Sequence, residues 1–202
     1  MITLVMLSGG LDSAYVLAKL LSETDDDIIA HHIHLITSTA RHKPEAESCR
    51  KIVDFCQNEY RPFEYTFSTI DRRGYVYHGK DLISAAFEAG AISASYLMAT
   101  GNHIDRWTVG ISLEDNIPDV RFRNADKVCR SNCTKDDAPD LFLLDPISQQ
   151  ETIDYLPYNL YKMTWSCRIP QEGDDGSYSP CGDCGTCRRL NDLTHMDEKS
   201  IQ

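Results

Sequence analysis

"ITLVMLSGGLDSAYVLAKLL", residues 2–21, decides how the rest of this chain is read. Its first six residues form an apolar run suited to a short buried strand. From Asp12 onward, Ala14, Val16, Leu17, Leu20 and Leu21 keep the three-to-four spacing of one helix face. Between the two, "SGG" supplies the conformational freedom for a sharp turn from strand to helix. The same alternation continues outward. "DIIAHHIHLI" (27–36) reads as a second strand and "PEAESCRKIVDFCQNEY" (44–60) as a helix opened by Pro44. "FEYTFSTI" (63–70) reads as a third strand, residues 81–100 as a long helix and "WTVGIS" (107–112) as a fourth strand. "DLFLLDP" (140–146) is a fifth strand-like segment, and "SQQETIDYL" (148–156) a helix with Ser148 as its cap and Glu151 three residues on. Strands separated by helices need crossover connections, hence a parallel sheet covered on both faces. The prediction is a doubly wound, five-stranded, Rossmann-like α/β fold.

Two segments carry chemistry. In "SGGLDS" (8–13) the glycines let the backbone approach a ligand closely. Ser8 and Ser13 add hydroxyls, and the helix start presents unpaired amides with partial positive charge. This is a phosphate cradle without the Lys-Ser/Thr ending of the ordinary P-loop. At the other end, "TWSCRIPQEGDDGSYSPCGDCGTCRRL" (164–190) holds Cys181, Cys184 and Cys187 in a CxxCxxC knot, with Cys167 14 positions upstream. Four soft thiolates suit a tetrahedral, closed, structural Zn²⁺ site, with an iron-sulfur cluster as the rival. Arg188 and Arg189 would offset its negative charge. These segments divide the chain into residues 1–160, a nucleotide domain with substrate loops, and 161–202, a metal segment packed on it.

Composition bounds the partners. The 202 residues include 20 basic and 31 acidic side chains for a net charge of -11, which disfavours docking along a nucleic-acid backbone and favours a small-molecule substrate. No apolar run approaches the roughly 20 residues of a membrane span, and a strand starting at Ile2 leaves no room for a signal peptide, so a cytoplasmic protein is expected. In that reducing compartment Cys49, Cys56, Cys129 and Cys133 read as core packing rather than disulfides. His31, His32 and His34 alternate along the second strand and read as partly buried strand residues rather than metal ligands.

"SGGLDS" resembles the PP-loop of the N-type ATP pyrophosphatases. Paired with "TWSC…CGDCGTCRRL", it is similar to the 7-cyano-7-deazaguanine synthase family over almost the whole chain. The resemblance implies an adenine nucleotide alpha hydrolase-like fold in which Leu7, Ser8, Gly9, Gly10, Leu11, Asp12 and Ser13 hold ATP with Mg²⁺ and Ile33 meets the adenine. It also implies that Arg41 and His42 of "ARH" belong to a substrate loop. "GKD" (79–81) stands where that family has Gly-Arg-Asn, and "IPDVR" (117–121) where it has Tyr-Pro-Asp-Cys-Arg. Lys80, Asp119 and Arg121 are then the catalytic candidates, with Arg41 or Lys127 as further cations. The resemblance also implies that Asp119 and Arg121 contact the substrate, Asp119 either by orienting Arg121 or by binding the edge of the guanine-like ring. The implied reaction converts 7-carboxy-7-deazaguanine and ammonia, with two ATP, into the nitrile, in a homodimer with structural zinc.

The chain departs from that pattern at Lys80 for Arg, Asp81 for Asn, Val120 for Cys and Gln149 for Lys. These changes bear on substrate more than on fold. They leave open a related deazapurine, a reaction that stops at the amide, or attachment of a deazapurine to a macromolecule. A tRNA-modifying PP-loop enzyme and a zinc-stabilised binding module with an inactive nucleotide loop are the other classes.

Overall fold

A computed structural model describes residues 1–74, 81–134 and 137–199, the last six by their backbone alone. Lys80 lies outside the described residues. The central strand β1 (Ile2–Met6) has Thr3, Leu4 and Val5 fully buried, as a strand covered on both faces must be. It pairs in parallel with β2 (Asp27–Ile36) on one side and β4 (Arg106–Val109) on the other. The flanking strands are β3 (Glu64–Asp71) and β5 (Asp140–Leu141), giving the order β3-β2-β1-β4-β5 with every pairing parallel. The doubly wound prediction therefore holds. The fifth strand is only two residues long, because pairing with β4 stops at Leu141.

Period-two alternation along β1 feeds two cores. Val5 packs with α1 (Leu11–Glu23) and α2 (His42–Glu59) on one face. Leu156 of the chain after α5 (Gln149–Tyr155) and Leu160 of α6 (Tyr158–Met163) join that core. Leu4 and Met6 pack on the opposite face with Trp107 and with α3 (Asp81–Thr100) and α4 (Asp119–Ser131). The second helix begins before Pro44, at His42, and α4 had no counterpart in the sequence reading. Its buried side chains are only Ala125 and Cys129, too few to stand out in a charged stretch. The metal segment adds a two-stranded hairpin, β6 (Gln171–Glu172) with β7 (Tyr178–Ser179), and α7 (Gly185–Lys199). Ser148 caps α5 as predicted, its hydroxyl accepting the Glu151 N–H while the Glu151 carboxylate accepts the Ser148 N–H.

One expectation is corrected. By length and composition α3 is long and apolar enough to cross a membrane, with a mean hydropathy of 1.4 over its 18-residue window. That run escapes notice because it is built of Ala, Ser and Gly among larger apolar residues. In the fold α3 buries its own Ala86 and Ala89 fully, and Gly90 lets α4 lie directly against it.

A side chain at Gly90 would drive its Cβ into the Cys129 carbonyl and against Asn132, both on or next to α4. Gly90→Ala is expected to lower unfolding free energy by about 1–3 kcal/mol, the usual cost of overpacking, read from denaturant midpoints. Gly74→Ala, where nothing lies within 4 Å of the added Cβ, stays within about 0.5 kcal/mol of the parent.

Candidate active site

The strand order reverses between β1 and β4, and their carboxyl ends open into a cleft of about 280 Å³. Its floor is the loop of residues 8–13. Gly9 takes φ +81°, and a Cβ there would sit 2.6 Å from the Glu45 carbonyl, so only glycine fits. Gly110, just past β4, lies against the backbone of Asp12 and Ser13, and any side chain there would collide with both. The Ser13 hydroxyl accepts the Ser8 N–H at 3.1 Å and donates to the Gly10 carbonyl at 3.0 Å. No side chain caps the start of α1, so its first amides face the cleft without a protein side-chain partner.

Carboxylates crowd this floor. Asp12 Oδ1 is buried without a hydrogen-bond partner among the described residues. Burial first, then the Asp115 and Glu114 carboxylates, raise the Asp12 pKa to about 6, against the opposing pull of Arg189 and Arg168. Asp115 and Glu114 belong to a 3-10 turn, Leu113–Asp115, where Glu114 accepts the Gln149 N–H at 3.1 and 3.2 Å. On the β2 side Glu45 lines the cleft, and burial pushes it up to about 7 despite Arg41, whose Nε lies 3.6 Å from it.

Three guanidiniums line the cleft among the described residues, those of Arg41, Arg168 and Arg189. The Asp81 carboxylate accepts from Arg41 Nη2 at 2.7 Å and from Arg168 Nη1 at 3.1 Å. Thus the acid that replaces the resemblance's Asn faces two cations and is compensated. Gln149 is buried and its Oε1 has no hydrogen-bond partner among the described residues. His31 is held by the hydroxyls of Thr66 at 2.8 Å and Ser68 at 3.0 Å, and His32 Nδ1 lies 2.9 Å from the Leu7 carbonyl. Burial lowers both rings to about 4, so they line the cleft uncharged at neutral pH.

Of the residues singled out from sequence, Leu7, Ser8, Gly10, Leu11, Asp12, Ser13, Ile33 and Arg41 line the cleft, and Gly9 shapes the loop beneath. His42, Asp119 and Arg121 are not among its lining. Asp119 and Arg121 stand in the first turn of α4, where Ile117 just before them is the residue that reaches the cleft. Lys127 is exposed farther along that helix. Sequence reasoning missed Glu45, Asp115, Trp165, Ser166, Arg168, Thr186 and Arg189. "TWSC" flagged Trp165 and Ser166 only as neighbours of a ligand. Arg188 does pair locally, with Asp183 at 2.9 Å, but Arg189 turns to the cleft.

Cys167, Cys181, Cys184 and Cys187 bring their sulfur atoms within 4.8 Å of one another and can hold a metal ion. Burial would raise the Cys184 thiol, but the backbone N–H groups of Arg168 and Cys187 bring it down to about 6. The scattered thiols behave otherwise. Cys49, Cys56 and Cys129 are buried and pushed up by desolvation.

No family model matches the chain, and no curated protein matches it. Solved structures similar to it include U34-tRNA thiolase NcsA from Methanococcus maripaludis with its 4Fe-4S cluster, at 16% identity and a TM-score of 0.48. The match covers 99% of this chain and 66% of that one, so this chain spans just under two thirds of the thiolase's length.

A buried carboxyl whose folded pKa of about 6 exceeds its unfolded value of 3.8 holds its proton more tightly when folded, so stability falls as pH rises between those values and is flat above. Without divalent cations, Asp12 is expected to cost on the order of 3 kcal/mol above pH 6. Asp12→Asn removes that slope. Urea unfolding should show the variant gaining on the parent between pH 4 and pH 7, and a constant difference across that range would contradict the assignment.

Proposed function

We propose that this chain is an ATP-dependent enzyme that activates a carboxylate by adenylation with release of pyrophosphate. The observation that carries the reading is the loop of residues 8–13, a glycine-shaped turn ending in uncapped helix amides, seated where the sheet order reverses. Asp12, with Asp115 and Glu114 beside it, fits the Mg²⁺ that accompanies ATP and offsets its phosphate charge. Ile33 and the uncharged rings of His31 and His32 offer an apolar wall for the adenine.

The substrate we assign is 7-carboxy-7-deazaguanine. Its carboxylate oxygen attacks the α-phosphorus and pyrophosphate leaves. Ammonia attacks the acyl carbon of the adenylate, releasing AMP and giving the amide. The amide oxygen attacks the α-phosphorus of a second ATP and a second pyrophosphate leaves; loss of AMP and of both nitrogen-bound protons then gives the nitrile. Gathering two anions at one phosphorus calls for preorganised cations, and Arg41 and Arg168, sharing Asp81, stand at the cleft wall for that purpose. Glu45 is placed to accept hydrogen bonds from a ring bearing an amino group. Arg41 and Glu45, rather than Asp119 and Arg121, are the substrate contacts of our reading.

For the thiol site we favour one Zn²⁺. A tetrahedral ion with bonds of roughly 2.3 Å sets sulfur atoms roughly 3.8 Å apart. Here Cys167 and Cys181 are 3.6 Å apart, and Cys181 and Cys187 4.0 Å. A four-iron cubane stands between its ligands and needs them roughly 6 Å apart.

With ATP, Mg²⁺, ammonia and 7-carboxy-7-deazaguanine, the expected outcome is substrate-dependent pyrophosphate, with the nitrile found by mass spectrometry and about one zinc per chain. Amide as the final product would restrict the assignment to the first activation. Orthophosphate release, or no turnover with any 7-deazaguanine acid, would overturn it.

A further inference from the structure

The four-thiol segment is a wall of the cleft as well as a metal site. Trp165 donates its backbone N–H to the Gly9 carbonyl at 2.8 Å, tying the segment to the loop that shapes the floor. The Trp165 indole N–H donates to the Cys167 carbonyl at 3.0 Å, and the Cys181 backbone N–H donates to Cys167 Sγ at 3.3 Å. Thr186 and Arg189 flank Cys187 in the first turns of α7, three residues apart on one helix face, and both line the cleft. Positions of Arg168 and Arg189 therefore depend on the thiols being gathered.

The two arginines differ from the third. Arg41 is 11% exposed and engaged by both Glu45 and Asp81. Arg168 is 59% exposed and meets Asp81 only as the second of two partners. Arg189 has its Nε buried with no hydrogen-bond partner among the described residues. Gln149, on the far side of the loop, is neutral. A desolvated guanidinium edge is costly unless an anion completes it. The loop below supplies amides and hydroxyls but no positive side chain.

The geometry points to Arg168 and Arg189 as the cations that hold the pyrophosphate portion of the nucleotide, carried into the cleft by the thiol-bound segment. A planar fork of donors suits two phosphate oxygens at once. The consequence is that metal occupancy sets phosphate affinity through these side chains, so a site that is structural in its coordination is functional in its effect. The inference rests on reading residues 8–13 as a polyphosphate cradle.

Calorimetric binding of inorganic pyrophosphate and of adenosine to the zinc-loaded chain separates the two. Arg189→Ala is expected to weaken pyrophosphate by about 10- to 100-fold, the scale of a lost charge-assisted contact, with adenosine affinity and zinc content unchanged. Arg189→Lys should restore part of the loss, Arg168→Ala should cause a smaller one, and Arg188→Ala should cause none. Cys184→Ser, provided its far-ultraviolet spectrum matches the parent's, should lose zinc and weaken pyrophosphate at least as much as Arg189→Ala. Parent-like pyrophosphate binding in Arg189→Ala and Arg168→Ala, or in a zinc-free Cys184→Ser, overturns the inference while leaving the proposed function standing. A parent chain that binds neither ATP nor pyrophosphate overturns both.

Discussion

Backbone pressed on backbone around the loop of residues 8–13 is the constraint from which the rest follows. Gly110 at the end of β4 touches Asp12 and Ser13, and Gly9 touches the Glu45 carbonyl, with no room for a side chain at either contact. These approaches draw β4, α2 and the first turn of α1 to one point. The price is that polar backbone must be satisfied in a tight space. Trp165 and Ser48 donate to the Gly9 carbonyl, and Ser13 donates to that of Gly10. What remains unpaired by side chains is the start of α1, which faces the cleft.

Electrostatics in the cleft follow from the same crowding. Burial raises Asp12 to about 6 and Glu45 to about 7, so near neutral pH Asp12 is mostly ionised and Glu45 only partly so. Asp81 sits between two arginines and orders them. His31 and His32, in the middle of β2, are kept neutral by burial and anchored by hydroxyls or a carbonyl, which makes them walls rather than ligands. Positive charge arrives from outside the sheet, on Arg168 and Arg189, and that arrangement joins the far end of the chain to the loop near its beginning.

Most of the fold could be read locally. β2 and α3 coincide with their predicted spans because each is a largely apolar run with few charged residues inside it, a signal of composition and length. The capping box at Ser148 is likewise a pattern contained within four residues. α4 was missed because only two of its side chains are buried, and its packing depends on a glycine of α3 that carries no periodic mark. The fifth strand was overextended because, after the Phe142 N–H donates to the Trp107 carbonyl at 2.9 Å, the apolar Leu143 and Leu144 pack against the core without adding to the β4 ladder.

The sequence alone determined the parallel α/β order, the glycine turn with its hydroxyls, and the four thiols, since each depends on residues near one another along the chain. Only the tertiary structure decided which charges share the cleft. It brought in Glu45, Asp115, Arg168 and Arg189, and left Asp119 and Arg121 in the first turn of α4, away from the lining. The physical reason is that a charged side chain's role is set by the groups it meets across the fold, and no spacing along the chain encodes the distance between the end of β2 and the start of α7.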